Sequence, residues 1–356
     1  VKRVVVAMSG GVDSSVAAFL LKEQGCEVIG LTMQLWPKEL CGTHGARSCC
    51  SLRAIEDAKH AAAKIGIPHY VVNFQKEFER DVIRYFCSEY SRGRTPNPCV
   101  VCNSKVKFGK LLERAKILGA DHLATGHYAR IGRGAGPGRY FIKEALDKTK
   151  DQSYFLFDLG QRQLRRLLFP LGELTKSEVR EIAGSAGLAR INDKPESQDI
   201  CFITGGDYRD FIRKRIKGIK PGRVIDTRGR YMGMHKGIAF YTIGQREGLG
   251  IAAGKPIYVV RLDPRRNEIT VGDAAEVKGK ELTAKDVRWM GKSGLERPAY
   301  AQAKIRYNHG KSACRVMQLS ARRVKAVFDE PQHAITPGQA FVFYGGEKIL
   351  GGGWIE

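Results

Sequence analysis

Apolar positions follow two different rhythms along this chain. In the first part, short continuous apolar runs alternate with stretches whose apolar residues recur three or four apart. Val4-Val5-Val6-Ala7-Met8 is such a run and predicts a strand buried on both faces. Ser9-Gly10-Gly11-Val12-Asp13-Ser14-Ser15 follows as a tight loop, and residues 16–22 predict a helix that stops near Gly25. The same alternation continues. Residues 27–33 predict a second strand, and residues 37–50 a loop that ends at a candidate N-cap, Ser51. Ile55, Ala58, Ala62 and Ile65 then mark a helix, and residues 70–74 a third strand. Phe78, Val82, Ile83 and Phe86 mark another helix. Pro96 and Pro98 predict an extended loop. Phe108, Leu111, Leu112 and Ala115 mark a helix, residues 122–126 a strand, and residues 128–131 with 140–142 a hairpin. The stretch 151–188 reads as helical, with Arg162, Arg165 and Arg166 clustered, and 192–203 as a polar loop.

Alternating strand and helix predict a doubly wound parallel sheet with right-handed crossovers, whose ligands sit at the carboxyl ends of the strands. Ala7, Met8, Met33, Gly126 and the loop 9–14 all fall at such ends, so they can line one nucleotide pocket. Beyond about residue 205 the rhythm changes to short alternating Val, Ile, Tyr and Gly runs at 222–233, 257–272, 299–307, 322–328 and 340–344. Asp263-Pro264-Arg265-Arg266-Asn267 is a turn between two such stretches. The expected architecture is therefore an α/β domain over 1–205, a central β domain over 206–272 and a β-barrel domain over 273–356. No internal repeat is visible.

Charge narrows the partner. Sixty Lys and Arg against 37 Asp and Glu give +23 over 356 residues, which points to a polyanion, with nucleic acid first. Arg209, Arg213, Lys214, Arg215, Lys217, Lys220 and Arg223 concentrate that charge where the two textures meet. A membrane surface would call for a basic amphipathic helix or a lipidation signal, and neither is found; no apolar run has bilayer length. The first strand begins within four residues, so no signal peptide is expected, and the expected location is the cytoplasm. Nine irregularly spaced cysteines in a chain with a large core argue for thiol or metal chemistry over a disulfide scaffold.

Two stretches carry the chemistry. In the loop 9–15, glycines let backbone N–H groups approach an anion at a helix N-terminus, where the helix dipole favours negative charge. No Lys-Ser/Thr follows the glycines, so it is not a Walker loop, and the glycine spacing is not that of a dinucleotide site. The second stretch is Thr95-Pro96-Asn97-Pro98-Cys99-Val100-Val101-Cys102-Asn103, cysteines on a rigid loop before a helix, where a thiolate is stabilised. Cys201, in Ser197-Gln198-Asp199-Ile200-Cys201-Phe202, can join them at the same sheet edge. Cys41, His44, Cys49 and Cys50 are metal-binding residue types whose spacing fits no standard zinc template.

Together with Gly126-His127-Tyr128, Lys150-Asp151-Gln152-Ser153-Tyr154-Phe155-Leu156, Ile200-Cys201-Phe202-Ile203, Gly244-Gln245-Arg246, Gly248-Leu249-Gly250, Arg306-Tyr307 and Pro337-Gly338-Gln339, these stretches resemble the tRNA-specific 2-thiouridylases (the MnmA/TrmU family) from end to end. The resemblance implies an ATP pyrophosphatase (HUP-like) domain followed by two small β domains, the last a barrel like those of translation factors. It implies ATP with Mg²⁺, adenylation of the 2-oxo group of a wobble uridine, and sulfur delivery from a cysteine persulfide. By matching motif, Cys201 would carry the persulfide, Cys102 would be the nucleophile, and a transient disulfide would join them. Ala7, Met8, Ser9, Gly10, Gly11, Val12, Asp13, Ser14, Met33 and Gly126 would bind ATP, with Asp13 essential to catalysis. Asn97, Pro98 and Cys99 would meet the target base, and His127, Lys150, Asp151, Gln152, Arg306, Tyr307 and Gln339 the tRNA. A cysteine desulfurase or sulfur-relay protein would supply the sulfur.

The chain departs from many relatives at one position: Cys99 stands where they carry Asp three residues before the nucleophile. Cys99, Cys102 and Cys201 then form a second option, three thiolates for a 4Fe-4S cluster with an open iron as sulfur carrier.

Overall fold

The computed structural model describes residues 1–35, 52–134, 136, 138–188, 200–203, 207–291 and 294–356. Cys41, His44, Cys49, Cys50 and Ser51, and most of the stretch 192–203, lie outside the described residues. The chain divides into two compact units. The first holds Val1–Val82, Cys99–Gly206 and Glu347–Ile349; the second holds Ile83–Pro98, Asp207–Gly346 and Leu350–Glu356.

The first unit is built on β1 (Arg3–Ala7), β2 (Glu27–Gln34), β3 (His69–Asn73) and β4 (His122–Thr125). A hairpin follows, β5 (Arg130–Arg133) and β6 (Tyr140–Lys143), and then β7 (Leu167–Leu168). The main sheet has the order β3-β2-β1-β4-β7, and every pairing in it is parallel. Val4, Val5 and Val6 are fully buried, as expected for the central strand of a sheet covered on both faces. Helices α1 (Val12–Glu23) and α2 (Leu52–Ile65) cover it with Val16, Ala17, Ala18, Ala58, Ala61 and Ala62; these small side chains let helix and sheet pack closely.

Two expectations change. The stretch 151–188 is not one helical region: short helices at Ser153–Leu156 and Gln161–Leu164 are followed by strand β7 and by helix Lys176–Ser185. Gly160, Pro170 and Gly172 break the helix. A two-residue strand leaves no periodic signal, and only its pairing with Leu123 and Ala124 defines it. Pro98, expected in an extended loop, opens the helix Pro98–Val101, because its fixed φ and missing N–H suit a first helical turn. The helix continues with wider π turns over Cys102–Leu111.

The second unit contains two β structures. Strands β8 (Gly222–Asp226), β9 (Tyr231–His235), β10 (Tyr258–Asp263) and β11 (Glu268–Gly272) form a four-stranded sheet in the order β10-β11-β8-β9. Strands β12 (Lys278–Trp289), β13 (Ala299–Lys304), β14 (Ser312–Ser320), β15 (Arg323–His333), β16 (Ala340–Gly345) and β17 (Lys348–Ile355) run in the order β12-β15-β14-β13-β16-β17. Pairing of β12 with β17 closes them into a barrel around Val316, Phe328, Phe341 and Phe343. Cys314 is buried in that core, where burial pushes its thiol up to about 12 and keeps it protonated. Helix Arg84–Ser91 groups with this unit because Phe86 packs edge-on against Phe211, at 5.9 Å, and Tyr90 stacks on Tyr208 at 5.1 Å.

Candidate active site

The loop after β1 is held almost atom by atom. Thr32 Oγ1 donates to Met8 O at 2.9 Å, and the Met8 N–H donates to Leu31 O at 2.8 Å, tying the loop to β2. The Ser9 N–H donates to Ser14 Oγ at 3.1 Å, while the Ser14 and Ser15 hydroxyls each donate to Gly11 O at 3.1 Å. Gly10 has φ +71°, and a Cβ there would lie 2.2 Å from Ala54 O at the start of α2. A Cβ on Gly126 would lie 2.7 Å from Asp13 C and Ser14 N, so the end of β4 rests against the first turn of α1. Both positions therefore require glycine, one for its φ and the other for close approach. Loop 9–14, Ala7, Met33 and Gly126 come together at the carboxyl ends of β1, β2 and β4.

Asp13 sits in the first turn of α1, and two groups bond its Oδ1. Lys176 Nζ donates at 2.7 Å and Tyr128 OH at 2.8 Å. Lys176 is buried at the start of its helix, and its ammonium lies 5.7 Å from the centre of the Tyr128 ring. Its own N–H donates to Asp147 Oδ2 at 3.0 Å. Burial pushes the Asp147 carboxyl up, but hydrogen bonds from Thr149 and from the Lys176 N–H outweigh it and hold the group below its ordinary value. A carboxylate and an ammonium thus meet at the helix N-terminus beside the glycine loop, an arrangement suited to a polyphosphate.

Cys102 is buried at the start of the π-wound segment, and Cys99 is half-buried one turn before it. Cys201 is half-buried in a turn closed by the Ile203 N–H to Ile200 O at 2.8 Å. Its neighbour Phe202 packs edge-on against Phe78, with ring centres 5.8 Å apart. The helical turn Gln75–Phe78 also packs against the segment Cys102–Leu111. Among the described residues no group of three or more His, Cys, Asp or Glu gathers as a metal site.

The family model described as "tRNA methyl transferase HUP domain" matches residues 2–205. Those described as "tRNA methyl transferase PRC-barrel domain" and "Aminomethyltransferase beta-barrel domain" match 209–273 and 279–355. A protein of Pelotomaculum thermopropionicum named tRNA-specific 2-thiouridylase MnmA is 52% identical over 355 residues, covering 99% of this chain and 97% of its own. Namesakes in Moorella thermoacetica and Carboxydothermus hydrogenoformans are each 52% identical; they cover 99% and 100% of this chain and 99% and 98% of their own. This chain belongs to the tRNA-specific 2-thiouridylase family. It is thereby an enzyme of the tRNA sulfurtransferase type.

In this chain several residues matched to tRNA contact hold internal structure. Asp151 is buried; its carboxylate accepts from the Ala145 N–H at 2.9 Å and from the Ser153 hydroxyl at 2.8 Å, and burial raises its pKa. Gln152 clasps Tyr128, accepting from the Tyr128 N–H at 3.1 Å and donating its own N–H to Tyr128 O at 2.8 Å. The Lys150 N–H closes the same turn on Asp147 O at 3.2 Å. His127 Nδ1 lies 2.6 Å from Thr125 Oγ1; its ring sits against Phe108 and Phe169, and burial keeps it neutral.

In the second unit, Gln339 Nε2 donates to Thr95 O and Pro96 O, both at 3.1 Å, and the Thr95 N–H donates to Pro337 O at 2.9 Å. These bonds brace the backbone leading into Asn97 and Pro98, and Asn97 is itself buried. Arg306 clamps Ile243 O, Ala334 O and Thr336 Oγ1, and Tyr307 lies under the Lys304 ammonium at 5.9 Å.

Lys176 and Tyr128 are the residues the sequence reading missed at the nucleotide loop. Thr175-x-x-Glu178, a capping box, marked the helix start that delivers Lys176, but nothing local linked it to Asp13, 163 positions away.

Proposed function

We propose that this chain replaces the 2-oxygen of a uridine in tRNA with sulfur, using ATP. The observation that carries the reading is full-length identity to proteins named tRNA-specific 2-thiouridylase, in a chain whose glycine loop, Asp13 and Lys176 form an anion site. ATP would lay its phosphates along the N–H groups of loop 9–14, with Lys176 and the α1 dipole stabilising the pyrophosphate as it leaves. Tyr128 and Lys176 both bond Asp13 Oδ1, which leaves Oδ2 for a Mg²⁺ brought by the nucleotide. The uridine O2 would attack the α-phosphate and release pyrophosphate, turning a poor leaving group into AMP.

Sulfur transfer would then use Cys201 and Cys102. The terminal sulfur of a Cys201 persulfide attacks C2 and expels AMP, leaving C2 joined to Cys201 through a disulfide bond. Cys102 thiolate attacks the Cys201 sulfur; the C2–S bond is retained as the thiocarbonyl, and a Cys102–Cys201 disulfide forms. A thiol reductant supplies two electrons to reopen it, and a cysteine desulfurase or relay protein reloads Cys201. Incubation with tRNA, ATP and a persulfide donor, followed by mass analysis of nucleosides, tests the reading: 2-thiouridine supports it, and AMP release without any thiolated nucleoside overturns it.

A further inference from the structure

The sheet β10-β11-β8-β9 shows one covered and one open face. Val224 and Ile269 point into the core, whereas Tyr231 and Met234 on edge strand β9 are 57% and 54% exposed. Register places them on one face with cations. Met234 pairs with Arg223, Tyr231 with Ile225, Ile225 with Thr270, and Thr270 with Arg261. The Arg223 guanidinium lies 5.9 Å from the Tyr231 ring centre, and Arg261 is exposed at the far side, about 14 Å away at ordinary strand spacing.

Glu268 is the carboxylate in the Arg223 row. Asp226 and Asp263 accept N–H bonds from their own turns, Asp226 also pairs with Arg230 at 2.6 Å and Asp263 with Arg261 at 3.7 Å, and Arg228 adds positive charge at the β8–β9 turn. An exposed aromatic ring, a guanidinium beside it and flanking arginines are the elements with which a sheet stacks an unpaired base and grips its phosphate. On a chain of net charge +23, a polyanion is the complementary occupant.

We infer that this open face is a second contact surface for the tRNA, with an unpaired nucleotide stacking on Tyr231 while Arg223 and Arg261 hold its phosphates. The inference rests on the proposed tRNA substrate. Anisotropy titrations of the full chain with tRNA, repeated at several salt concentrations, test it. Tyr231→Ala should weaken binding about tenfold, and Tyr231→Phe should restore it to within about twofold, because the ring suffices for stacking. Arg223→Ala should lower the salt slope by about one. Tyr300→Ala, at an exposed position on the barrel strand β13, should leave affinity unchanged.

Unchanged affinity in Tyr231→Ala and Arg223→Ala, with melting temperatures as in the parent, overturns the inference. So does a change in oligomeric state without loss of tRNA affinity, which would make the face a contact between copies. Failure of the unaltered chain to bind tRNA or form 2-thiouridine counts against the substrate reading instead.

Discussion

The nucleotide loop and the cysteine region differ in how they are built. Loop 9–15 is tied by hydrogen bonds at nearly every residue and by close packing at Gly10 and against Gly126, neither of which admits a side chain. Cys102 opens a π-wound helix, and Cys201 sits in a single turn beside Phe202, which packs on Phe78. The difference matches the two tasks. An anion site works by preorganised N–H dipoles, which must not reorient as charge develops. Sulfur relay needs one thiol to meet a donor protein, then a substrate carbon, then a second thiol, so its groups must be able to separate.

The largest effect should come from breaking the cysteine half. Cys102→Ser or Cys201→Ser should cut 2-thiouridine formation by at least about a thousandfold while ATP- and tRNA-dependent AMP formation persists, read in single-turnover assays. Loss of adenylation in both would mean that the two halves are not separable. Next, Lys176→Ala removes the cationic one of the two Asp13 partners and should lower adenylation about a hundredfold or more, leaving tRNA affinity close to the parent value. A tRNA-binding defect of similar size would place Lys176 elsewhere in the mechanism. Asp13→Ala should behave in the same way, since tRNA affinity rests on distributed phosphate contacts.

A smaller effect is expected from Gly10→Ala, whose Cβ would meet the Ala54 carbonyl. It should cost about 1–3 kcal/mol of stability and raise KM for ATP, measured by denaturation and by kinetics.

The mildest test is pH. Burial holds His69, His122, His127, His235 and His309 below the ordinary histidine value of 6.5. Folded-state pKa values below the unfolded value mean that the unfolded chain binds more protons between the two. Stability is therefore complete above about pH 6.5 and falls as pH drops toward the folded values. Melting temperature should decline steadily below pH 6.5; a flat profile to pH 5 would show these rings already protonated.

The chain's own pattern was enough for much of this. Uninterrupted Val and Ile runs, helical spacing and Gly-Gly at a strand–helix junction are local signals, and they located β1 to β4, α1 and the anion loop. Motif spacing pointed to Cys102 and Cys201 for the same reason, since each lies in a short recognisable stretch. Tertiary structure decided what depends on partners far along the chain. It split the apparent helix after Asp151, because a two-residue strand exists only by pairing with β4. It made Gln339, matched to tRNA contact, a brace for Thr95 and Pro96, and set the Asp151 carboxylate to organise a turn. It also brought Lys176 onto Asp13. Hydrogen-bonding groups carry no sequence mark of the partner they will meet, so local pattern determined the elements and the loop, while long-range pairing determined which polar groups remain for substrate.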